Sequence, residues 1–125
     1  MTSLELGPLL RHVGTTTATI WVETSASCTV EVLGASAPTF EVCGQHYALV
    51  LVDGLEPGSC RPYEVRLDGE LVWPLEGTGT PPSYLRTRAE DSTGRLRFVF
   101  GSCRYPPTDD PELEASLGID ALDAF

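Results

Sequence analysis

The sequence predicts a mainly β chain: an antiparallel β-sandwich over residues 4–89, then, over residues 95–125, the first strand and partial helices of a truncated α/β domain. Three observations predict it. Short β-rich runs separated by Gly, Pro, Ser and Asp fill Leu6 to Thr87, with no 3.6-residue period to follow. Asp68-Gly69, between runs of alternating polarity, is the signature of a two-residue hairpin. Leu96-Arg97-Phe98-Val99-Phe100-Gly101-Ser102-Cys103-Arg104 is an apolar strand stopping at a cysteine, as at the opening of an α/β domain whose site lies at the strand's carboxyl end.

Taken in order, Thr17–Glu23 is the first clear strand, with Ala18, Ile20 and Val22 forming the better apolar face. That phase turns Trp21 away from the core, toward a neighbouring domain. Cys28–Val32 follows, with Cys28, Val30 and Val32 on one face and Cys28 read as a small core hydrophobe. Gly34–Pro38 reads as a turn into Thr39–Val42. Tyr47–Val52 is apolar on both faces, which predicts a strand covered from both sides. Leu55-Glu56-Pro57-Gly58 is a corner leading into Tyr63–Leu67, where Tyr, Val and Leu alternate with charges, and the hairpin returns the chain through Glu70–Trp73. Residues 74–83 read as a loop within the sandwich, Tyr84–Thr87 as the closing edge strand, and residues 88–94 as a boundary.

Beyond the cysteine-ended strand, Tyr105-Pro106-Pro107 forces an extended turn. Asp110-Pro111-Glu112 supplies an N-cap, a first-turn proline and a first-turn acid for a short helix reaching Leu117, which Gly118 stops. Asp120–Phe125 has the composition of another helix's opening turns. One strand and two partial helices do not bury a core alone.

Composition bounds the function. The 125 residues suit one domain and a fragment of a second. A formal net charge of −10 repels a phosphate backbone, so no nucleic-acid partner is expected. All eight basic residues are arginine and there is neither lysine nor asparagine, which excludes a lysine phosphate loop and an N-glycosylation acceptor. Met1–Val13 lacks a secretory pattern and no run approaches a membrane span, so the expected compartment is cytoplasmic and no membrane partner is expected. Cys28, Cys43, Cys60 and Cys103 match no C-x-x-C pattern, and a cytoplasmic setting keeps thiols reduced.

The Leu-x-Pro-Gly corner followed by a tyrosine-bearing strand resembles the immunoglobulin/fibronectin type III-like sandwich. Together with Leu6-Gly7-Pro8, Thr17–Val22 and Phe98-Val99-Phe100-Gly101-Ser102-Cys103, it resembles the N-terminal part of a PhoD-like metallophosphatase, of the alkaline phosphatase D family. In that family a small immunoglobulin-like domain precedes a metallophosphoesterase domain whose first strand reads approximately Phe-x-Phe-x-Ser-Cys. The resemblance implies iron and calcium as cofactors, Cys103 as an iron ligand, and a phosphomonoester or phosphodiester substrate attacked in line by a metal-bound hydroxide. It implies too that the sandwich packs on its own catalytic domain. The family's Gly-Asp-x-x-Tyr-x-Asp stretch, later Asn and His ligands and Asp-x-His end have no counterpart here, and Arg104 stands where many relatives have glutamine. One cysteine does not make a catalytic site, so this chain alone is expected to be inactive.

Each candidate has a plainer reading. Cys103 is either a metal ligand in a longer protein or an ordinary thiol at a strand end. Arg104 is either a bidentate phosphate contact or a solvated arginine. His12 and His46 have no Cys or carboxylate at ligand spacing and read as surface histidines. Asp109, Asp110, Glu112 and Glu114 read as helix-start acids facing exposed amides, not as a cation site, and Asp120 and Asp123 likewise. Three functions compete: the accessory domain and first strand of a phosphoester hydrolase, a stand-alone immunoglobulin-like binding module without catalytic activity, and a thiol- or metal-sensing protein, which the cysteine spacing supports least.

Overall fold

A computed structural model describes residues 1–75, 77, 79, 81–91, 100 and 111–117. The chain divides into two units, Met1–Gly94 and Arg95–Phe125. The first unit holds β1 (Leu4–Val13), β2 (Ala18–Thr24), β3 (Thr29–Val32), β4 (Ala35–Pro38), β5 (Phe40–Val42), β6 (Gln45–Val52), β7 (Cys60–Pro62), β8 (Val65–Leu67), β9 (Glu70–Trp73) and β10 (Tyr84–Arg86). Two four-stranded antiparallel sheets, ordered β1-β2-β6-β5 and β4-β3-β8-β9, face each other across one core, and β10 pairs with β7. In the second unit Pro111–Leu117 forms helix α1.

Strict alternation builds the core. On β2, Ala18, Ile20, Val22 and Thr24 are buried while Thr19, Trp21 and Glu23 lie opposite. On β6, Ala48, Val50 and Val52 pair with Val22, Ile20 and Ala18, so the two central strands present one continuous aliphatic surface. Val30 and Val32 of β3, with Val65 and Leu67 of β8, meet it from the other sheet. The hairpins match these strands in twist. Leu33-Gly34, Cys43-Gly44 and Asp68-Gly69 each place both residues at positive φ, as type I′ turns demand, and each joins consecutive strands by two residues. Leucine and cysteine at the first turn position are less easily read as turn formers than aspartate.

Side chains pin the corner before β8 to the end of the sandwich. The Thr87 hydroxyl donates to the Glu56 carbonyl and accepts from the Ser59 N–H at 2.9 Å. The Ser83 hydroxyl accepts from Trp73 Nε1 at 2.8 Å. Tyr63 is buried in the core, its phenol pushed up from its ordinary pKa mainly by loss of water, with Ser83 opposing in part. Ser83 is thereby held beside Trp73 and Tyr63.

Two expectations are corrected. Gly34–Pro38 is not a turn: the turn is Leu33-Gly34, and Ala35–Pro38 is an edge strand whose small residues pair with Thr29–Val32. Alanine, serine and proline are poor strand formers, and pairing supplied what propensity did not. The second concerns β6, which is not covered on both sides, because Leu49 and Leu51 point to solvent. A strand at Cys60–Pro62 was not anticipated, since proline and an exposed pattern hide it. Helix α1 spans the expected interval. The Leu96–Arg104 strand, apart from Phe100, and the Asp120–Phe125 helix lie outside the described residues.

Candidate functional site

Cys103 and Arg104, the residues singled out for chemistry, lie outside the described residues, as do Asp109 and Asp110. Among the described residues no three His, Cys, Asp or Glu side chains converge on a metal position. His12 is exposed and His46 half-buried. The described residues thus offer no fit for the iron and calcium that the resemblance implies, and no chemical step is derived through them.

The thiols are separate. Cys28, Cys43 and Cys60 are free. Cys28 is half-buried at the core's edge, and burial pushes its thiol up, with Asp68 adding to the shift and a hydrogen bond to Thr24 opposing it. Cys60 is exposed and its sulfur accepts from Arg86 Nε at 3.3 Å.

Two surfaces stand out. One is an open depression along β3 and the approach to β8, lined among others by Glu31, Ser36, Tyr63, Glu64 and Arg66. Arg66 is already engaged, with Nη2 at 3.2 Å from a Glu64 carboxylate oxygen and Nη1 donating to the Gly69 carbonyl at 3.1 Å. What it leaves is a solvated, acidic hollow with no enclosure.

The other is the outer face of the β1-β2-β6-β5 sheet. Because the period of a strand is two, the alternation that buries Ile20 and Val50 puts Trp21, Tyr47, Leu49 and Leu51 together on the opposite side. Register sets the rows: Leu9 opposite Trp21 and Trp21 opposite Leu49, Leu6 opposite Glu23 and Glu23 opposite Tyr47, and Tyr47 opposite Phe40. The Trp21 and Tyr47 rings stack with centroids 5.7 Å apart and planes at 28°, and Phe40 tilts against Tyr47 at 6.0 Å. Leu51 is 72% exposed, Leu6 57%, Leu9 and Phe40 48% each. Single exposed apolar residues are ordinary; here they are neighbours across paired strands.

Gly7 shapes one side of this face. At φ +95° it sits in a bulge of β1 between Leu6 and Leu9, and a Cβ there would stand 2.8 Å from the Trp21 carbonyl oxygen. The extra residues let both Leu6 and Leu9 lie beside β2's outer side chains. Sequence reading separated Trp21 from the core correctly but took β6 as covered from both sides; what it missed was that the two strands are neighbours, so that Trp21 and the outer leucines of β6 share one exposed face.

A family model described as a domain of unknown function, DUF7800, matches residues 1–85, the stretch that carries both sheets. No curated protein and no solved structure matches the chain.

Proposed function

The chain belongs to the DUF7800 family, and we propose that it is the N-terminal accessory domain and first catalytic-domain strand of a metal-dependent, PhoD-like phosphoester hydrolase. The observation that carries this reading is the run Phe98-Val99-Phe100-Gly101-Ser102-Cys103, following directly on a complete β module. The strand orders β1-β2-β6-β5 and β4-β3-β8-β9 support the immunoglobulin/fibronectin type III-like part, being the A-B-E-D and C-F-G arrangement with one added edge strand. So does buried Tyr63, just ahead of β8, at the position of a tyrosine corner. In the whole enzyme Cys103 would supply a thiolate to iron, which would polarise the phosphoryl group, and Arg104 would contact the substrate phosphate, with the sandwich as accessory to the catalytic domain. This chain by itself has too few ligands to hydrolyse anything.

The test compares residues 1–125 with the polypeptide continued through its downstream reading frame, assayed on p-nitrophenyl phosphate and bis-p-nitrophenyl phosphate with iron and calcium supplied. Activity confined to the longer form and abolished by Cys103→Ala is the expected result. Equal inactivity of both forms sinks the reading and leaves the alternative, a stand-alone immunoglobulin-like binding module, which the exposed aromatic face favours.

A further inference from the structure

We propose that β9 and β10 are two halves of one strand, divided by an eight-residue insertion that the fold carries but does not use. Only Tyr63 and Glu64 separate β7 from β8, with no turn between them, and the alternation runs on: Tyr63 and Val65 are buried and Glu64 is exposed. Residues 60–67 are therefore one extended run. Both β9 and β10 pair antiparallel with it, β9 with its second part and β10 with its first.

Register measures what lies between the two halves. Val65 faces Trp73, so an unbroken strand would set Leu75 against Tyr63. Instead the Tyr63 N–H donates to the Ser83 carbonyl at 3.0 Å, and Pro62, Arg61 and Cys60 face Tyr84, Leu85 and Arg86 in step. Ser83 stands eight positions after Leu75, so pairing resumes beyond Glu64 with eight residues looped out. Eight is even, and the faces of a strand alternate with a period of two, so the second half re-enters on the face that the first half left. Trp73 packs against the core cluster that contains Leu85, itself fully buried. An odd insertion would turn Leu85 and Thr87 to solvent.

Both halves are held by bonds outside the insertion. Trp73 Nε1 donates to the Ser83 hydroxyl at 2.8 Å and closes its neck. Past β10, the Thr87 N–H donates to the Ser59 carbonyl at 3.0 Å and the Arg88 N–H to the Gly14 carbonyl at 2.9 Å. On the insertion itself Leu75 is exposed, and a Cβ built on Gly77 or Gly79 meets no neighbour. What residues 74–81 do is thus free of the demands of the core, since a segment looped from a rigid scaffold varies in length and sequence at little cost.

Deletion tests the proposal directly. The chain lacking residues 74–81, with Pro82→Thr to place a strand former at the junction, should unfold at the same urea concentration as the parent or a higher one, because no loop remains to be closed. The amides of Tyr63, Thr87 and Arg88 should exchange as slowly as in the parent. Replacing residues 74–81 by eight glycine and serine residues separates length from sequence, and should also leave the urea midpoint and those amides unchanged. If the deletion loses protection at Tyr63 while the glycine–serine form keeps it, β9 and β10 require a spacer and are not one strand; if both lose it, residues 74–81 belong to the fold. Either result overturns the proposal. Removing residues 74–82 breaks the even count, and should lower the urea midpoint below that of the eight-residue deletion; equal midpoints overturn the register on which the proposal stands.

Discussion

The two sheets of this sandwich share one rule on the inside and break it on the outside. Inward, both alternate in the same way and bury Ile20, Val22 and Val50 against Val30, Val32 and Val65. Outward, the second sheet carries Glu31 opposite Arg66 and Ser36 opposite Glu31, with Leu71 on the other side of Arg66, whereas the first carries Trp21, Tyr47, Phe40 and four leucines around Thr19 and Glu23. Folding needs only the inner rows. Leucine at the outer positions of β6 is exposed and contributes little to the isolated sandwich. The contrast separates residues that make the fold from residues that folding leaves free.

The sharpest way to break that contrast is to truncate one residue from each side of adjacent strands. Ile20→Ala empties a fully buried site and should lower stability by about 3 kcal/mol in urea unfolding. Leu51→Ala, on the neighbouring strand but 72% exposed, should change it by less than about 0.5 kcal/mol. Comparable losses would mean that the outer face is covered within this chain.

How much of this the sequence announces depends on whether a feature is local. The inner faces of β2, β3 and β8 are legible because alternation is written within each strand: Ala18-Ile20-Val22, Val30-Val32 and Val65-Leu67 are read without knowing their neighbours. Strand β9 is legible too, since Asp68-Gly69 fixes where it starts. Strand β4 is not, because Ala35-Ser36-Ala37-Pro38 has no apolar stripe of its own and is held by the ladder to β3. The outer surface is half legible: Trp21 out of phase and β6 apolar on both sides are local signals, but only the pairing of Trp21 with Leu49 and Leu9 joins them. Cys103 rests on a motif alone.

A second test asks what keeps β1's leucines on the outer face. Gly7→Ala introduces a Cβ against the Trp21 carbonyl oxygen at a φ that side chains avoid, and should cost about 2 kcal/mol. Gly34→Ala meets the same kind of φ, +83°, but open space, and should cost about 1 kcal/mol. The difference isolates the clash from the backbone strain. If the two variants unfold at the same urea concentration, the close approach of β1 to β2 is not fixed by Gly7, and the placing of Leu6 and Leu9 has another cause.

The smallest effect belongs to the polar side. Arg66 and Glu64 form an ion pair at 3.2 Å, but their side chains are 43% and 55% exposed, so water and salt screen the attraction and each side chain gives up rotamer freedom to hold it. Arg66→Ala should therefore shift stability by no more than about 0.5 kcal/mol, and raising the salt concentration should shrink even that difference. A larger, salt-insensitive loss would show the arginine's stem packing on β3 beside its neighbour Glu31, making the second outer face structural. With the expected near-zero result, the two outer faces are alike in contributing little to folding and differ in polarity, the one mainly polar and the other mainly apolar though exposed.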